Sequence, residues 1–296
     1  MNHTLSIVAI FRNEHRFIVQ WIEYHLKVGV DHFYLYDNGG DHWELLEPFK
    51  EFITYTLWTD DIANAYQTRH QNRTRQKGAY THCVDHFKDD SEWIQLLDLD
   101  EFLVPISSIN VKECINEGED NNVGVLRIPR YNFGNAGNWK KPINANVIDY
   151  KRRERKASHF KDLGRMKKIE KILNPHLIRA RGTVVESQNL YIHHHYTRSL
   201  SEWMNRARTG GGQAGKGFRW FIGQRPWLAF LTYSFLNIRS LYPISLTVLI
   251  AASTWLFNLP AWMLMFIIPN VIWALFAWQR GQNEVFDNRL YVLLKK

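Results

Sequence analysis

The sequence predicts an α/β fold, a largely parallel sheet flanked by helices, carrying a C-terminal hydrophobic helical hairpin. Three observations carry that expectation. Residues 5–11 (LSIVAIF) are a short, β-branched apolar run, as expected of a parallel strand covered on both faces. A helical pattern and a second such strand follow, giving a β-α-β order. Residues 241–257 and 261–278 are two nearly uncharged apolar runs separated by Asn258-Leu-Pro260, each about the minimum length that crosses a hydrocarbon core.

In the first helix, Phe17, Ile18, Trp21, Ile22, Tyr24, His25 and Val28 recur at helical spacing, and Gly29 supplies the C-cap. Residues 32–36 (HFYLY) are the second strand, stopped by the turn signal Asp37-Asn38-Gly39-Gly40. In open α/β sheets, ligands bind outside the carboxyl ends of the strands, so polar residues there mark a candidate pocket. Residues 52–58 read as a third strand, 64–87 as one long helix, and 93–97 (WIQLL) as a fourth strand. Residues 123–128 are a further strand, and 132–138 (NFGNAGN) have loop chemistry. Residues 151–171 are strongly basic and read as a solvated or substrate-facing stretch. Residues 190–193 read as a late strand and 200–208 as a short helix before the glycine-rich stretch from Gly210. The expected organisation is a catalytic domain over residues 1–218 and a membrane-associated hairpin with a basic tail over 219–296.

Lysine and arginine number 37 against 29 aspartates and glutamates, a formal charge of +8. A basic balance suits anionic partners such as phosphorylated substrates or an acidic membrane surface. No recognised DNA- or RNA-binding motif is present, so nucleic acid is not an expected partner. Cys83 and Cys114 form no CxxC pattern and read as two buried free thiols. The opening apolar run is too short for a signal peptide. Arg219, Arg225 and Arg239 precede the apolar pair; Arg280, Arg289, Lys295 and Lys296 follow it. Basic flanks on both sides predict a hairpin with both ends cytosolic and a membrane-associated catalytic domain on the cytoplasmic face.

The strongest chemical feature is Asp98-Leu-Asp100-Glu101 at the end of the fourth strand. Carboxylates at i and i+2 on an extended chain point the same way, and can share one hard divalent cation, Mn²⁺ or Mg²⁺. Such an ion binds the two phosphates of a nucleotide diphosphate and neutralises the charge that grows when it leaves. His193-His194-His195 offers an imidazole to complete the shell, and residue chemistry alone does not choose among the three. Arg152, Arg153, Arg155, Lys156, Lys161, Arg165, Lys167 and Lys168 are candidates for diphosphate or lipid headgroups, or for a solvated face. The loop 210–217 with Lys216 is a candidate lid; it lacks the GxxxxGK[ST] pattern of a P-loop.

Six ordered blocks resemble a known family. Trp21-Ile-Glu-Tyr-His25 followed by residues 29–38 (GVDHFYLYDN) closely resembles the opening of the family-92 glycosyltransferases. Gln76 with residues 79–83 (AYTHC), residues 93–102 (WIQLLDLDEF), Tyr131-Asn-Phe-Gly134, residues 168–175 and His195-Tyr-Thr-Arg-Ser199 are similar to that family's later blocks, in order. The resemblance implies a GT-A fold (Rossmann-like nucleotide-diphospho-sugar transferase), a UDP-sugar donor of the galactose type, inversion at the anomeric carbon and Mn²⁺ dependence. It implies metal ligands Asp98, Asp100 and His195, and a nucleotide-sugar pocket that includes Asn13, Glu14, Asp37, Asn38, Gln76, Asp98 and Lys168. Residues 133–138 (FGNAGN) depart from the usual F-G-S-S-G-H, and Arg198 replaces the usual lysine.

The expected chemistry is a single displacement in which a carboxylate takes the proton of an acceptor hydroxyl. Glu101, Glu154 and Asp162 are the base candidates. The acceptor is expected to be a glycan or a lipid-linked glycan. The alternative is an inactive, membrane-attached, carbohydrate-binding scaffold descended from a transferase.

Overall fold

The computed structural model describes residues 2–12, 14–15, 17–40, 42–70, 74–136, 150–157, 159–195, 198–202, 285–287 and 289–295. Asn13, the lid loop, the boundary at 218–219 and both apolar runs of the expected hairpin lie outside the described residues. Among the described residues, no helix is long and apolar enough to cross a membrane. The chain divides into two compact units: Met1–Tyr131 with Ala157–His194 and Val292–Lys296, and Asn132–Lys156 with His195–Tyr291.

The first unit is a mixed α/β structure on a nine-stranded sheet. Strands β1 (His3–Phe11), β2 (His32–Asp37), β3 (Ile53–Leu57) and β4 (Ser91–Leu96) are parallel neighbours in the order β3-β2-β1-β4. Their carboxyl ends therefore share one sheet edge. The sheet continues through β8 (His159–Arg165), β6 (Val123–Asn132), β12 (Leu190–His194) and β5 (Glu101–Pro105), with β11 (Thr183–Glu186) paired to β6. β8 runs antiparallel to both β4 and β6. A separate hairpin joins β9 (Ile169–Asn174) and β10 (Leu177–Ala180).

The central parallel strands β1, β2 and β4 are largely apolar and buried because both faces are covered, whereas the edge strand β3 is half-exposed. On one face Val8, Tyr34, Tyr36, Ile94 and Leu96 form a core with Ala79, Tyr80, Cys83 and Val84 of helix α4 (Arg75–Phe87). On the other, Trp21 and His25 of helix α1 (Ile18–Lys27) meet Phe33, and His25 stacks on Phe102 at 5.7 Å. α1 ends as the sequence indicates: Gly29 has φ +100, and an added Cβ would overlap Asn110. Both cysteines are buried, unbridged thiols.

Two expectations are corrected. After the short helix α2 (Trp43–Leu46), the single helix expected over 64–87 is two, α3 (Asp60–His70) and α4. Thr74 is extended (φ −136, ψ 149) and its hydroxyl accepts the Lys77 N–H at 3.1 Å, an N-cap that starts α4 afresh. The basic stretch 151–171 is not simply a solvated face, because it contains β8 and the start of β9. Lys161 and Asp162 are fully buried there, each balanced by opposite charge. Paired charges hide the strand from any pattern based on apolar alternation.

β11 lies on β6 through a turn at Gly182, where φ is +95 and a Cβ would sit 2.0 Å from the Asn122 carbonyl oxygen. That neighbour is backbone and cannot swing away. Gly182→Ala is expected to cost at least ~1–2 kcal/mol from the left-handed backbone alone. A urea denaturation midpoint equal to the wild type would refute this.

The second unit contains the antiparallel pair β7 (Arg152–Arg153) and β13 (Val285–Phe286), with Arg153 bonded to Asp287 at 2.9 Å. Ser199 and Glu202 form a capping box: Glu202 Oε2 accepts the Ser199 N–H at 3.2 Å, and Ser199 Oγ accepts the Glu202 N–H at 3.4 Å. Tyr150 also donates to Glu202, at 3.0 Å.

Candidate active site

The shared edge of the parallel strands collects two groups of expected site residues. The first is built on the turn from β4 to β5. Asp98 and Glu101 close it through the Glu101 N–H to Asp98 carbonyl bond at 3.0 Å, and the Asp98 N–H donates to Glu101 Oε2, also at 3.0 Å. Asp98 Oδ1 accepts from Gln76 Nε2 at 2.5 Å and lies 3.5 Å from the Tyr80 hydroxyl; both donors stand on α4. Asp98 Oδ2 accepts from Lys161 Nζ at 2.9 Å. Lys161 also reaches Glu101 Oε2 at 2.5 Å, and Arg130 reaches Glu101 Oε1 at 2.9 Å.

The result is a closed quartet of two anions and two cations. Lys161 and Glu101 are wholly buried and Arg130 nearly so, while the Asp98 side chain is about one-third exposed (32%). Burial opposes the charge on Asp98, but Lys161 outweighs it and holds the carboxyl below its usual range. Burial likewise opposes the charge on Lys161, and Asp98 with Glu101 holds the ammonium above its usual range. Beside them, burial and the charges of Lys161 and Arg130 push His176 down to about 4, so its imidazole is neutral at pH 7.

Asp100, at the tip of the same turn, has its Oδ2 3.4 Å from His194 Nε2. β12 pairs antiparallel with β5 and puts His194 opposite Glu101. Side chains alternate along a strand, so His194 faces the turn and His193 the opposite way. His193 lies against Tyr191, with ring centroids 5.0 Å apart. His195 belongs to the second unit, where its ring is 4.9 Å from Phe133 and 6.3 Å from Tyr150.

The turn is braced from outside by the Trp21-Ile-Glu-Tyr-His25 motif. β5 is a sheet edge, and its unpaired backbone groups need partners. Trp21 Nε1 donates to the Glu101 carbonyl at 2.8 Å and the Tyr24 hydroxyl to the Leu103 carbonyl at 2.9 Å. His25 Nε2 accepts the Leu103 N–H at 3.2 Å, while Nδ1 donates to the Trp21 carbonyl at 2.8 Å. Burial pushes His25 down to about 3, which keeps it neutral and able to accept.

The second group lies where β1 and β2 end. The Asn38 N–H bonds the Phe11 carbonyl at 2.9 Å, and Asn38 Nδ2 donates to the Trp58 carbonyl at 2.6 Å. Asp37 Oδ1 accepts from the Gly39 and Gly40 N–H groups at 2.8 and 2.9 Å. Its Oδ2 accepts from the His42 N–H at 3.1 Å, His42 Nδ1 at 3.0 Å and the Tyr55 hydroxyl at 2.9 Å. Burial works against the Asp37 charge, yet the bonds from His42, Gly40, Tyr55 and Gly39 win, and the carboxyl lies well below the usual range. A depressed native pKa contributes stability that is present above the unfolded value near 4 and lost as pH falls toward the native value. The gap in urea midpoint between wild type and Asp37→Asn is therefore expected to narrow between about pH 6 and about pH 3. A gap that stays constant across that range would contradict the assignment.

Other expected residues are placed elsewhere. Lys168 follows β8, whose Arg165 pairs with Trp93 near the start of β4, so it stands at the opposite edge from Asp98. There its ammonium reaches the Asn121 carbonyl. Strand direction thus does not bring Lys168 together with Asp98 and Gln76. Asp162 points away from Lys161 and is spent on Arg127, at 2.9 and 3.3 Å, and on the Ile178 N–H at 2.9 Å. Glu154, in the second unit, accepts the Asn132 N–H at 2.8 Å. Sequence reasoning missed Arg130 and His42; Lys161 was seen as one of a basic run and not as a buried partner of Asp98. Their signal was a charged or polar residue inside a strand or immediately after a turn.

Among the described residues, no group of three His, Cys, Asp or Glu side chains forms a ready metal cage. Asp98 is already engaged on both oxygens. Asp100 and His194 offer one oxygen and one nitrogen donor, a set that suits Mn²⁺ when other ligands come from phosphate and water.

The family model for Glycosyltransferase family 92 matches residues 2–220. A family-92 protein of rice (Oryza sativa subsp. japonica) is 24% identical over 212 residues, 69% of this chain and 31% of that protein. Relatives of the same family from Ricinus communis and Arabidopsis thaliana are 26% and 23% identical, over 50% and 55% of this chain and 26% and 29% of theirs. The chain thus spans less than a third of the length of these curated relatives. Among solved structures, CMP:2-keto-3-deoxy-manno-octonic acid synthetase with CTP overlaps 77% of this chain and 86% of its own, at 11% identity. Its TM-score of 0.28 is too low to bear on fold detail or chemistry. Matched over residues 2–220, which include the whole Asp98–Glu101 turn and its Trp21-Ile-Glu-Tyr-His25 brace, the chain belongs to glycosyltransferase family 92.

Proposed function

We propose that this chain is a metal-dependent, inverting glycosyltransferase with a GT-A-type domain. It takes a galactose-like sugar from a UDP-sugar and passes it to a glycan or lipid-linked glycan. The observation that carries this reading is the Asp98–Asp100 turn at the carboxyl end of β4, in a chain that matches family 92. Glu14, Asn38, Gln76 and Asp98 gather at that same edge of the sheet, where α/β sheets take their ligands.

Asp100 is the metal ligand that fits best, with His194 beside it. Asp98 and His195 enter the ligand set on the family resemblance. A bound Mn²⁺ or Mg²⁺ would supply neutralisation of the leaving diphosphate. The chain's own residues do the rest. Gln76, Tyr80 and Lys161 fix the Asp98 carboxylate in one orientation, so it presents a rigid acceptor to the donor. Glu101 and Asp162 spend both oxygens on cations and backbone N–H groups and Glu154 accepts the Asn132 N–H, so all three stay base candidates for the acceptor hydroxyl on equal terms. The apolar runs at 241–257 and 261–278 would hold the domain at the cytoplasmic face of a membrane, near membrane-borne acceptors.

The test is a panel of nucleotide sugars offered with Mn²⁺ and with chelator. One UDP-sugar is expected to bind and be slowly hydrolysed only when metal is present. Failure of the whole panel to bind would replace this reading with the inactive-scaffold alternative.

A further inference from the structure

His42 stands beside the proposed donor site and bonds more than Asp37. His42 is wholly buried, as is the Asp37 side chain it touches. Its ring has a partner at each end. Nδ1 is 3.0 Å from Asp37 Oδ2, and Nε2 accepts the backbone N–H of Glu14 at 3.1 Å. Because Nε2 accepts from Glu14, the proton facing Asp37 sits on Nδ1 and is donated to the carboxylate. Phe11 meets the ring edge-on at 4.9 Å, and His15 stacks on it at 3.9 Å.

This places His42 at a gap in the backbone. β1 and β2 pair in parallel up to Phe11 and Asp37, and among the described residues the last backbone bond across them is from the Asn38 N–H to the Phe11 carbonyl. Among the described residues, His42 makes a further crossing, from the segment after β2 to Glu14 after β1. Asp37 is the anchor of that crossing. An ionised carboxylate offers about four lone-pair sites, and five donors from Gly39, Gly40, His42 and Tyr55 already converge on this one.

We propose that His42 is a positioning residue that straps the loop after β1 to the loop after β2 and so shapes the pocket for the donor's nucleoside, with Asp37 as its anchor and not a ligand of the nucleotide. The proposal rests on the nucleotide-sugar reading for the identity of the ligand. The strap itself stands on geometry alone.

The two halves are tested separately. His42→Asn keeps a donor near the Nδ1 position and loses the acceptor for Glu14. His42→Gln places an acceptor near the Nε2 position and loses the donor to Asp37. Amide exchange at Glu14, read by NMR without ligand, is expected to accelerate about tenfold in His42→Asn and to stay within about threefold of wild type in His42→Gln. Uridine diphosphate with Mn²⁺ is the binding probe. Its Kd, and the KM for the donor, should rise about tenfold in His42→Asn with kcat within about twofold, and His42→Gln should recover most of the affinity. Unchanged Glu14 exchange in His42→Asn overturns the strap. Accelerated exchange with unchanged nucleotide affinity overturns its role in the pocket. Absence of nucleotide binding by the wild type is a failure of the donor reading, and is seen before any variant is made.

Discussion

Asp100→Ala is expected to abolish sugar transfer while the protein stays folded. Asp100 stands at the tip of the β4–β5 turn, outside the quartet that holds the turn together, and its contact with His194 is a long one at 3.4 Å. Losing that contact should change stability by no more than about 1 kcal/mol. The cost to catalysis is of a different size. If Asp100 fixes the divalent ion at the diphosphate, several kcal/mol of leaving-group stabilisation go with it. That corresponds to a fall in kcat/KM of roughly three orders of magnitude. Asp100→Asn should behave similarly, since it keeps the shape and removes the charge. Circular dichroism melting and donor hydrolysis on the same preparations separate the two effects. Turnover within tenfold of wild type would sink the role given to Asp100.

Lys161→Met should have the opposite profile, with its main effect on folding. The methionine side chain fills a similar volume but leaves Glu101 without one of its two cations and Asp98 without its only one within the quartet. Breaking a buried charge pair from one side typically costs about 3–5 kcal/mol, because the remaining charge is stranded. Partial exposure of Asp98 moderates its share, so most of the loss falls on Glu101. Adding Glu101→Gln to Lys161→Met should recover part of the stability. A single Lys161→Met variant within about 1 kcal/mol of wild type in urea denaturation would show that the quartet is not what holds the turn.

These two variants divide a motif that reads as one unit in the sequence. Asp98-Leu-Asp100-Glu101 was recognisable as an acidic pair after an apolar strand, and its place at the carboxyl end of β4 followed from the β-α-β order. What the sequence could not show is that its carboxylates have different duties. Asp98 and Glu101 face inward onto Lys161 and Arg130, which lie 63 and 29 residues from those partners along the chain. Only the antiparallel return of β8 beside β4 and β6 brings them together. β8 itself escaped notice because its central residues, Lys161 and Asp162, are charged and yet buried. The parallel strands were legible for the converse reason, since their apolar runs need no partner to explain their burial.

The Trp21-Ile-Glu-Tyr-His25 motif makes the same point. Its spacing marks a helix, and its residues mark the family, but neither shows why Trp, Tyr and His recur instead of Leu or Phe. Each carries a polar tip on an apolar body. Here Trp21 and Tyr24 donate to β5 backbone carbonyls and His25 accepts a β5 N–H, which steadies the strand that follows the Asp98–Glu101 turn. Lys168 shows the limit of motif transfer. It belongs to a family-like block, yet the direction of β8 carries it to the far edge of the sheet.

The most direct test of the central claim is an anomalous-scattering map from crystals grown with uridine diphosphate and Mn²⁺. A manganese peak is expected within coordination distance of the Asp100 carboxylate, ~2.2 Å, with the diphosphate at the carboxyl edge of β1, β2 and β4. A manganese ion bound away from Asp100, or a nucleotide seated at the opposite edge near Lys168, would contradict it.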